Sequence, residues 1–386
     1  MAFYLLALKS AFRNPLRMFL TTVGIAIAIV AFIFLRTIIR AWYAGVEASS
    51  SDRLITRNRI SLVFPLPLTY LEKIRGVQGV SDVGILNWFG AIYKDEKNFF
   101  AQFATDPESL LRLYPEFVLT NEEKQAFIGD RTGCLVGYEL QRKYGFKVGD
   151  TIVLSGTIYP GEWKFTVRGV YKGAQKLTDT TAMYFHWKYL NEQLPEEQQN
   201  RIGIVAVKVN DPNAGPAVGA AIDKLFVNSP YETKTESEKA FQLSFVSMAS
   251  AILKAISVVS GVILFIMTLI IGNTLAMSTR ERINEYAAMR AIGFRPSHIL
   301  RLVLLEGVVV GVVGIGLGVL AAIPLLQSAA DFFQSNLGAF LGAFDLDPMI
   351  VALAAGVSLF LTVSAALVPA VRASQENIVA GLRRVE

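Results

Sequence analysis

Four long apolar runs punctuate the chain, Met18 to Ile39, Ile252 to Met277, Leu302 to Leu326 and Met349 to Val371. An α-helix rises about 1.5 Å per residue and the hydrocarbon layer of a bilayer is about 30 Å thick, so each run predicts a membrane-spanning helix. Arg36 falls in the last turns of the first run, where a long side chain reaches the interface, and Trp42 and Tyr43 mark that interface just beyond it. Residues 1–17 have a different pattern. Phe3, Tyr4, Leu5, Leu6, Leu8 and Phe12 alternate with Lys9, Arg13 and Arg17, and no small-residue cleavage site follows, which predicts an amphipathic helix on the inner membrane surface.

Between the first and second runs the pattern shortens to that of a folded α+β domain. Ile60 to Phe64 reads as a strand, Leu66 to Arg75 as a helix and Val80 to Asn87 as a strand. The theme recurs as a strand at Ile202 to Val209, a helix capped by Asp211-Pro212 and running to Val227, and a strand at Tyr231 to Thr235. Two β-α-β units of this kind predict a split ferredoxin-like fold. The segment between them predicts a β-rich insert, with a helix at Tyr138 to Tyr144 and strands at Thr151 to Leu154, Lys164 to Tyr171 and Ala182 to Phe185. From Phe241 to Met277 the sequence is helix-compatible for longer than a membrane requires, predicting one uninterrupted helix whose surplus projects outward beside the extension of the first span near Val46.

Composition agrees with a membrane protein: 53% of residues are apolar, 18% are charged and the mean hydropathy is +0.42. The net charge of +5 is small and gathers beside the apolar runs, a topology signal and not a nucleic-acid patch. Lys and Arg number three in residues 1–17, five in 278–301, none in 328–348 and three from Arg372 onward. The positive-inside rule therefore puts both termini and the 278–301 bridge in the cytoplasm and the 40–251 domain outside. A single cysteine, Cys134, excludes an internal disulfide.

The bridge predicts a helix from Arg280 to Ile292, ended by Gly293 in the left-handed conformation, with Pro296-Ser297 opening the next helix. In the third run, Gly307, Gly311, Gly314 and Gly318 are spaced by four, three and four, and at about 100° per residue they share one face. Such a stripe lets a neighbouring helix approach closely, within this chain or in a second one; Gly316 lies on the opposite face. Glu306 adjoins the stripe near the inner interface, where it pairs or stays hydrated.

Arg282, Glu285, Arg290, Ala291, Ile292 and Gly293, followed by Glu306-Gly307, resemble the Arg-x-x-Glu-Ile-Gly-x-x-Arg-Ala-Leu-Gly bridge of MacB/FtsX-type ABC transporter permeases, with Tyr286 and Ala287 in place of the family's Ile-Gly. A second match is independent of it. Arg13-Asn14-Pro15-Leu16-Arg17 and the Leu20-Thr21 and Gly24-Ile25 steps resemble the entry to that family's first span, and Pro369 to Ala373 its exit from the last, with Asn377-Ile378 replacing its usual Pro. Val136 to Asp150 and Phe165 to Tyr171 look like the periplasmic core domain of MacB-type permeases. The resemblance implies a permease subunit in a bacterial inner membrane, paired as a homodimer or heterodimer and docked on a separate ABC ATPase that carries ATP and Mg. Work done outside would be driven from inside, for efflux or extraction of a lipid, peptide, drug or lipoprotein, with a periplasmic adaptor and an outer-membrane channel among the family's partners. An FtsX-like regulator that activates an extracytoplasmic hydrolase without transport is the alternative.

On this reading the bridge offers its partner a set of Arg282, Glu285, Met289, Arg290 and Gly293: Glu285 and Met289 share a face four residues apart, and Arg282 flanks them. The chain itself shows no chemistry. It has no Gly-x-x-x-x-Gly-Lys-Ser/Thr loop, His186 and His298 fall on opposite sides of the membrane, and Cys134 completes no metal-ligand spacing. Tyr184-Phe185-His186-Trp187 reads as an aromatic core strand, and Asp345 and Asp347 as solvated loop residues, not a cation site. The predicted layout is a cytoplasmic amphipathic helix (1–17), the first span (18–39), an extracytoplasmic domain with stalk extensions (40–251), the second span (252–277), a coupling bridge (278–301), the third span (302–326), an outer loop (327–348), the fourth span (349–371) and a cytoplasmic tail (372–386).

Overall fold

The computed structural model describes residues 13–95, 98–175, 177–337 and 346–375, and of 331–337 the backbone only. The predicted amphipathic helix of residues 1–17 lies mostly outside these, as do Asp345 and the Asn377-Ile378 step. The first helix, α1, runs without a break over Pro15–Ala48. The domain that follows begins with β1 (Arg53–Asn58), a short β2 (Leu66–Pro67), α2 (Thr69–Arg75), β3 (Val80–Trp88) and β4 (Ala91–Ile92). Next come β5 (Ala101–Thr105), α3 (Pro107–Leu113), β6 (Phe117–Val118), α4 (Asn121–Gly129), β7 (Gly133–Gly137) and α5 (Tyr138–Tyr144). It closes with β8 (Thr151–Gly156), β9 (Gly161–Gly173), β10 (Ala182–His186), α6 (Trp187–Gln193), β11 (Arg201–Ile202), β12 (Ile204–Val209), α7 (Gly215–Leu225), β13 (Thr233–Ser237) and α8 (Glu238–Met248).

The two β-α-β units interleave in the order β13-β1-β12-β3, every neighbour antiparallel, which is the split ferredoxin-like arrangement. The β-rich insert is not a separate sheet. β3 pairs with β5, and the order continues β5-β10-β7-β9-β8-β4 within one 11-stranded sheet. Successive side chains of a strand point to opposite faces, and here the two faces feed two apolar layers. Leu54, Val205, Val207, Val136, Met183 and Phe185 enter one; Ile55, Ala206, Leu135, Ala182 and Tyr184 enter the other.

Local signals fix the helices between strands. Asp106 caps α3 by accepting from Ser109 N at 3.0 Å, with Pro107 in the first turn. Thr120 and Glu123 form a reciprocal capping box on α4. Gly145 ends α5 at φ +74°, where a side chain would be strained.

The first strand departs from expectation. It is Arg53–Asn58, and Ile60 to Phe64 forms an exposed turn in which Ile60 and Val63 are 81% and 85% accessible. β1 is disguised by polarity: the Thr56 and Thr235 hydroxyls bond across the strand pair at 2.9 Å, and Arg57 Nε meets Glu236 Oε1 at 3.2 Å. The helix out of the domain is also not continuous. α8 ends at Met248, Ala249 adopts φ −90°, ψ 4°, and a new helix starts at Ser250. Ser244 and Ser247 turn their hydroxyls onto the Phe241 and Ser244 carbonyls at 2.6 Å, the local competition that weakens helix ends.

Asp130 illustrates how this domain responds to acid. Burial alone would raise its pKa, but the Arg168 guanidinium at 2.7 Å, the Thr132 hydroxyl and the Thr132 amide together hold it below the usual carboxylate range. Asp52, Asp82 and Glu123 are lowered in the same way. A carboxylate whose folded pKa is depressed contributes stability that is full above the unfolded value of about 3.9 and is lost as pH falls through the folded one. Thermal unfolding of the domain should therefore move to lower temperature below about pH 4, and Asp130→Asn should flatten that dependence while lowering stability at neutral pH.

The helical body contains the membrane part of α1 with α9 (Ser250–Glu281), the short α10 (Ile283–Ala291), α11 (Pro296–Leu337) and α12 (Pro348–Gln375). Four of these, all but α10, carry windows long and apolar enough to cross a membrane. Their buried faces are narrow. On α9 they include Met267, Ile271 and Leu275, and on α12 the small residues Ala354, Ser358, Thr362 and Ala366, each series stepping by four.

Candidate functional site

The bridge between the second and third membrane helices is built by two backbone departures. α9 continues to Glu281, one turn beyond the expected end of the second span at Met277 and past Arg280, where the bridge helix was expected to begin, and Arg282 at φ −111°, ψ 12° breaks the ladder before α10 starts at Ile283. At the other end Phe294 N donates to Met289 O and Gly293 N to Arg290 O, both at 3.1 Å, with Gly293 at φ +102°. This paired closure requires the left-handed residue that glycine supplies. Pro296 then opens α11 and the Arg295 amide donates to His298 Nδ1 at 3.3 Å.

One side of α10 is locked. Tyr286 packs with Ile299, Leu302 and Val303 of α11 and with Ala370 and Ala373 of α12, and Met289 leans half-buried on the same cluster. Arg282 turns inward, 3.2 Å from Glu306 Oε2, while Ser278 donates to Glu306 Oε1 at 3.0 Å. Arg290 Nη1 reaches the Ser374 carbonyl at 3.5 Å. A cavity of about 30 Å³ beside the pair is lined by Arg17, Thr21, Thr274, Ser278, Arg282 and Glu306, enough for a water among polar groups. Glu285 pairs with Arg13, and Glu281 with Arg17 at 2.9 Å, so the entry to α1 is tied to the same bridge.

Of the residues singled out from sequence, Arg282 is an internal strut, Met289 part of a packed cluster and Gly293 a backbone device; Glu285 remains at the surface in its pair with Arg13. The free face is formed by Ala288, Ala291 and Ile292, and Ile292 is 78% exposed. Its signal in the sequence is an apolar residue directly before a helix-ending glycine, with Ala288 four residues earlier on the same face.

The glycine stripe meets three helices, α12, α1 and, at Gly307 alone, α9, where a Cβ would lie 3.0 Å from Leu275 Cδ1. A Cβ on Gly307 would lie 3.0 Å from Ala366 Cβ, and one on Gly311 2.6 Å from Thr362 Cγ2, both on α12. On Gly314 it would lie 2.7 Å from Ile25 Cβ and on Gly318 2.7 Å from Ile29 Cβ, both on α1. Gly316 has open space. The stripe is thus the seam by which α11 lies against both α12 and α1 at backbone distance.

Cys134 and His186 both lie in the interior of the domain. Cys134 is fully buried, and burial pushes its thiol far up. His186 is buried with Nε2 2.6 Å from the Phe127 carbonyl, and desolvation lowers its pKa. Among the described residues no three of His, Cys, Asp and Glu converge as metal ligands. Asp347 pairs with Arg40 and accepts from Met349 N at 2.9 Å, opening α12.

Four apolar helices, a domain inserted after the first and a short keyed helix between the second and third define a polytopic membrane protein of the permease type. The profile of the MacB-like periplasmic core domain matches residues 18–225 and that of the FtsX-like permease C-terminal region residues 257–378. The chain belongs to the MacB/FtsX-type ABC transporter permeases. It is 24% identical over 341 residues to an uncharacterised ABC transporter permease of Methanocaldococcus jannaschii, covering 82% of each chain. Among solved structures, the extracellular domain of the ABC-type transporter YknZ from Gram-positive bacteria aligns with 48% of this chain and 99% of its own, at 13% identity and a TM-score of 0.36. The periplasmic region of MacB from Actinobacillus actinomycetemcomitans aligns with 52% and 94%, at 11% identity and a TM-score of 0.36. As an ABC transporter permease the chain implies an ATPase partner.

Proposed function

We propose that this permease subunit converts ATP hydrolysis on a separate, cytoplasmic ATPase into movement of its extracytoplasmic domain, and that the ATPase seats on the bridge helix α10. ATP and Mg stay on the partner, two permeases pair in the membrane, and the work done outside is export or extraction of a lipid, peptide, drug or lipoprotein. Both termini and the bridge lie in the cytoplasm of an inner membrane, in keeping with the Arg and Lys that flank these segments.

The observation that carries this reading is the two-sidedness of α10. Tyr286 and Arg282 key one side into the membrane helices, so a push on α10 is delivered to α11 and α12 without slack, while Ala288, Ala291 and Ile292 stand free on the other. Full burial of an isoleucine is worth about 1.5–3 kcal/mol, and each 1.4 kcal/mol is about tenfold in affinity. Ile292→Asp should therefore remove the ABC ATPase that co-purifies with the tagged wild-type chain, with permease yield unchanged and transport lost. Gly316→Leu, into open space on α11, should keep the ATPase. Full ATPase recovery with Ile292→Asp would refute the docking face.

A further inference from the structure

Arg53 is the first residue of β1, reached immediately after the chain leaves α1, and it is only 3% exposed. All three of its guanidinium nitrogens are engaged. Nε donates to Glu238 Oε2 at 3.0 Å, Nη1 to the Leu113 carbonyl at 2.8 Å and Nη2 to Glu116 Oε1 at 2.6 Å, and the cation lies 4.1 Å from the centre of the Tyr114 ring. The same Glu238 oxygen accepts from Ser50 N at 2.8 Å. Three chain segments meet at this one side chain: residues 50–53 behind α1, Glu238 at the start of the helix that leads toward α9, and Leu113–Glu116, which joins α3 to β6 in the insert.

A buried ionic cluster is a weak way to gain stability, because apolar groups of similar volume usually hold as well. What a guanidinium adds is a rigid planar fork that fixes several partners in one geometry. Here it also keeps apart two carboxylates, Glu238 and Glu116, that would face each other without it. Burial pushes the Glu238 carboxyl up while Arg53 opposes that shift.

We propose that Arg53 is a positioning residue that locks both membrane-leading ends of the extracytoplasmic domain, at Ser50 and Glu238, to the insert at Leu113–Glu116, so that displacement of those ends moves the insert as one rigid piece. This rests on the mechanical role proposed above, and the two can be separated by experiment. Spin labels on Glu47, beside the first end, and on Glu122, on α4 of the insert, occupy exposed sites, and Cys134 is buried and need not be replaced. Pulsed dipolar distances would be measured on the full chain in nanodiscs, first without nucleotide and then with its co-purified ATPase trapped by ATP and vanadate.

The wild type should give one narrow Glu47–Glu122 distribution that is unchanged by trapping. Arg53→Met should broaden it and make it nucleotide-dependent, with ATP hydrolysis retained and transport lost. Arg53→Lys, which keeps the charge but lacks the fork, should broaden it as well and guards against a folding failure of the Met variant. A distribution as narrow in both variants as in the wild type overturns the clasp. Loss of the ATPase from the wild type, with broadening still seen in the variants, would instead leave the clasp standing and remove the mechanical reading.

Discussion

Gly314→Leu combined with Gly318→Leu is expected to give a chain that inserts into the membrane but does not assemble its helical body. A Cβ alone at either position would lie 2.7 Å from the Cβ of Ile25 or Ile29, and at Gly318 also 2.9 Å from the Ala26 carbonyl. Ile25 and Ile29 are fully buried, and backbone cannot rotate away, so α11 and α1 must separate. Overpacking by a few methylenes typically costs about 1–3 kcal/mol, and two whole side chains on one seam should exceed that. Insertion is spared because leucine is favourable in lipid. The check is size-exclusion behaviour and thermal unfolding in detergent beside Gly316→Leu, whose added side chain meets open space and should leave both unchanged. Equal behaviour of the two variants would mean that the seam does not hold α11 to α1.

Glu306→Ala should be the most damaging single change at the bridge. It leaves the Arg282 guanidinium, in a residue 8% exposed, without its carboxylate, and breaking a buried pair by removing one partner costs about 3–5 kcal/mol. Exchanging the pair for apolar groups, Arg282→Met with Glu306→Leu, should recover much of the loss because no charge is then stranded. The two single variants and the double one form a cycle, read by thermal unfolding and by ATPase retention. Recovery of stability without recovery of ATPase binding would show that the pair sets the pose of α10 as well as holding it.

How far the sequence spoke for the structure differs by scale. The four spans were legible because an apolar run that long has few other destinations, and the split β-α-β pattern survived as the β13-β1-β12-β3 order. The continuity of the sheet through the insert was not legible. β5 and β7 are short, and β10, which pairs with both, lies far from them in sequence, so no local pattern announces them. β1 was hidden by Arg53 and Arg57, polar residues on a buried strand whose partners, Glu238 and Glu236, enter more than a hundred residues later.

At the bridge, helical spacing showed which residues share a face but not which face is inward. Arg282 reads as a surface charge until Glu306 is placed beside it, and Met289 reads as a free knob until Ile299 and Leu302 fold against the same helix. The unaided signal was Ile292, an apolar side chain at a helix end with no apolar partner following before the turn.

The most direct measurement of the central claim is a photo-crosslinking scan of the bridge in cells that make the full transporter. Benzoylphenylalanine placed at Ile292 or Ala288, on the free face of α10, should form an ultraviolet-dependent adduct with the ABC ATPase, whereas the same probe at Gly316 on α11 should not. ATPase adducts from Ile292 and Ala288, with none from Gly316, are the predicted result; adducts absent from both bridge positions while the ATPase still co-purifies would contradict the account.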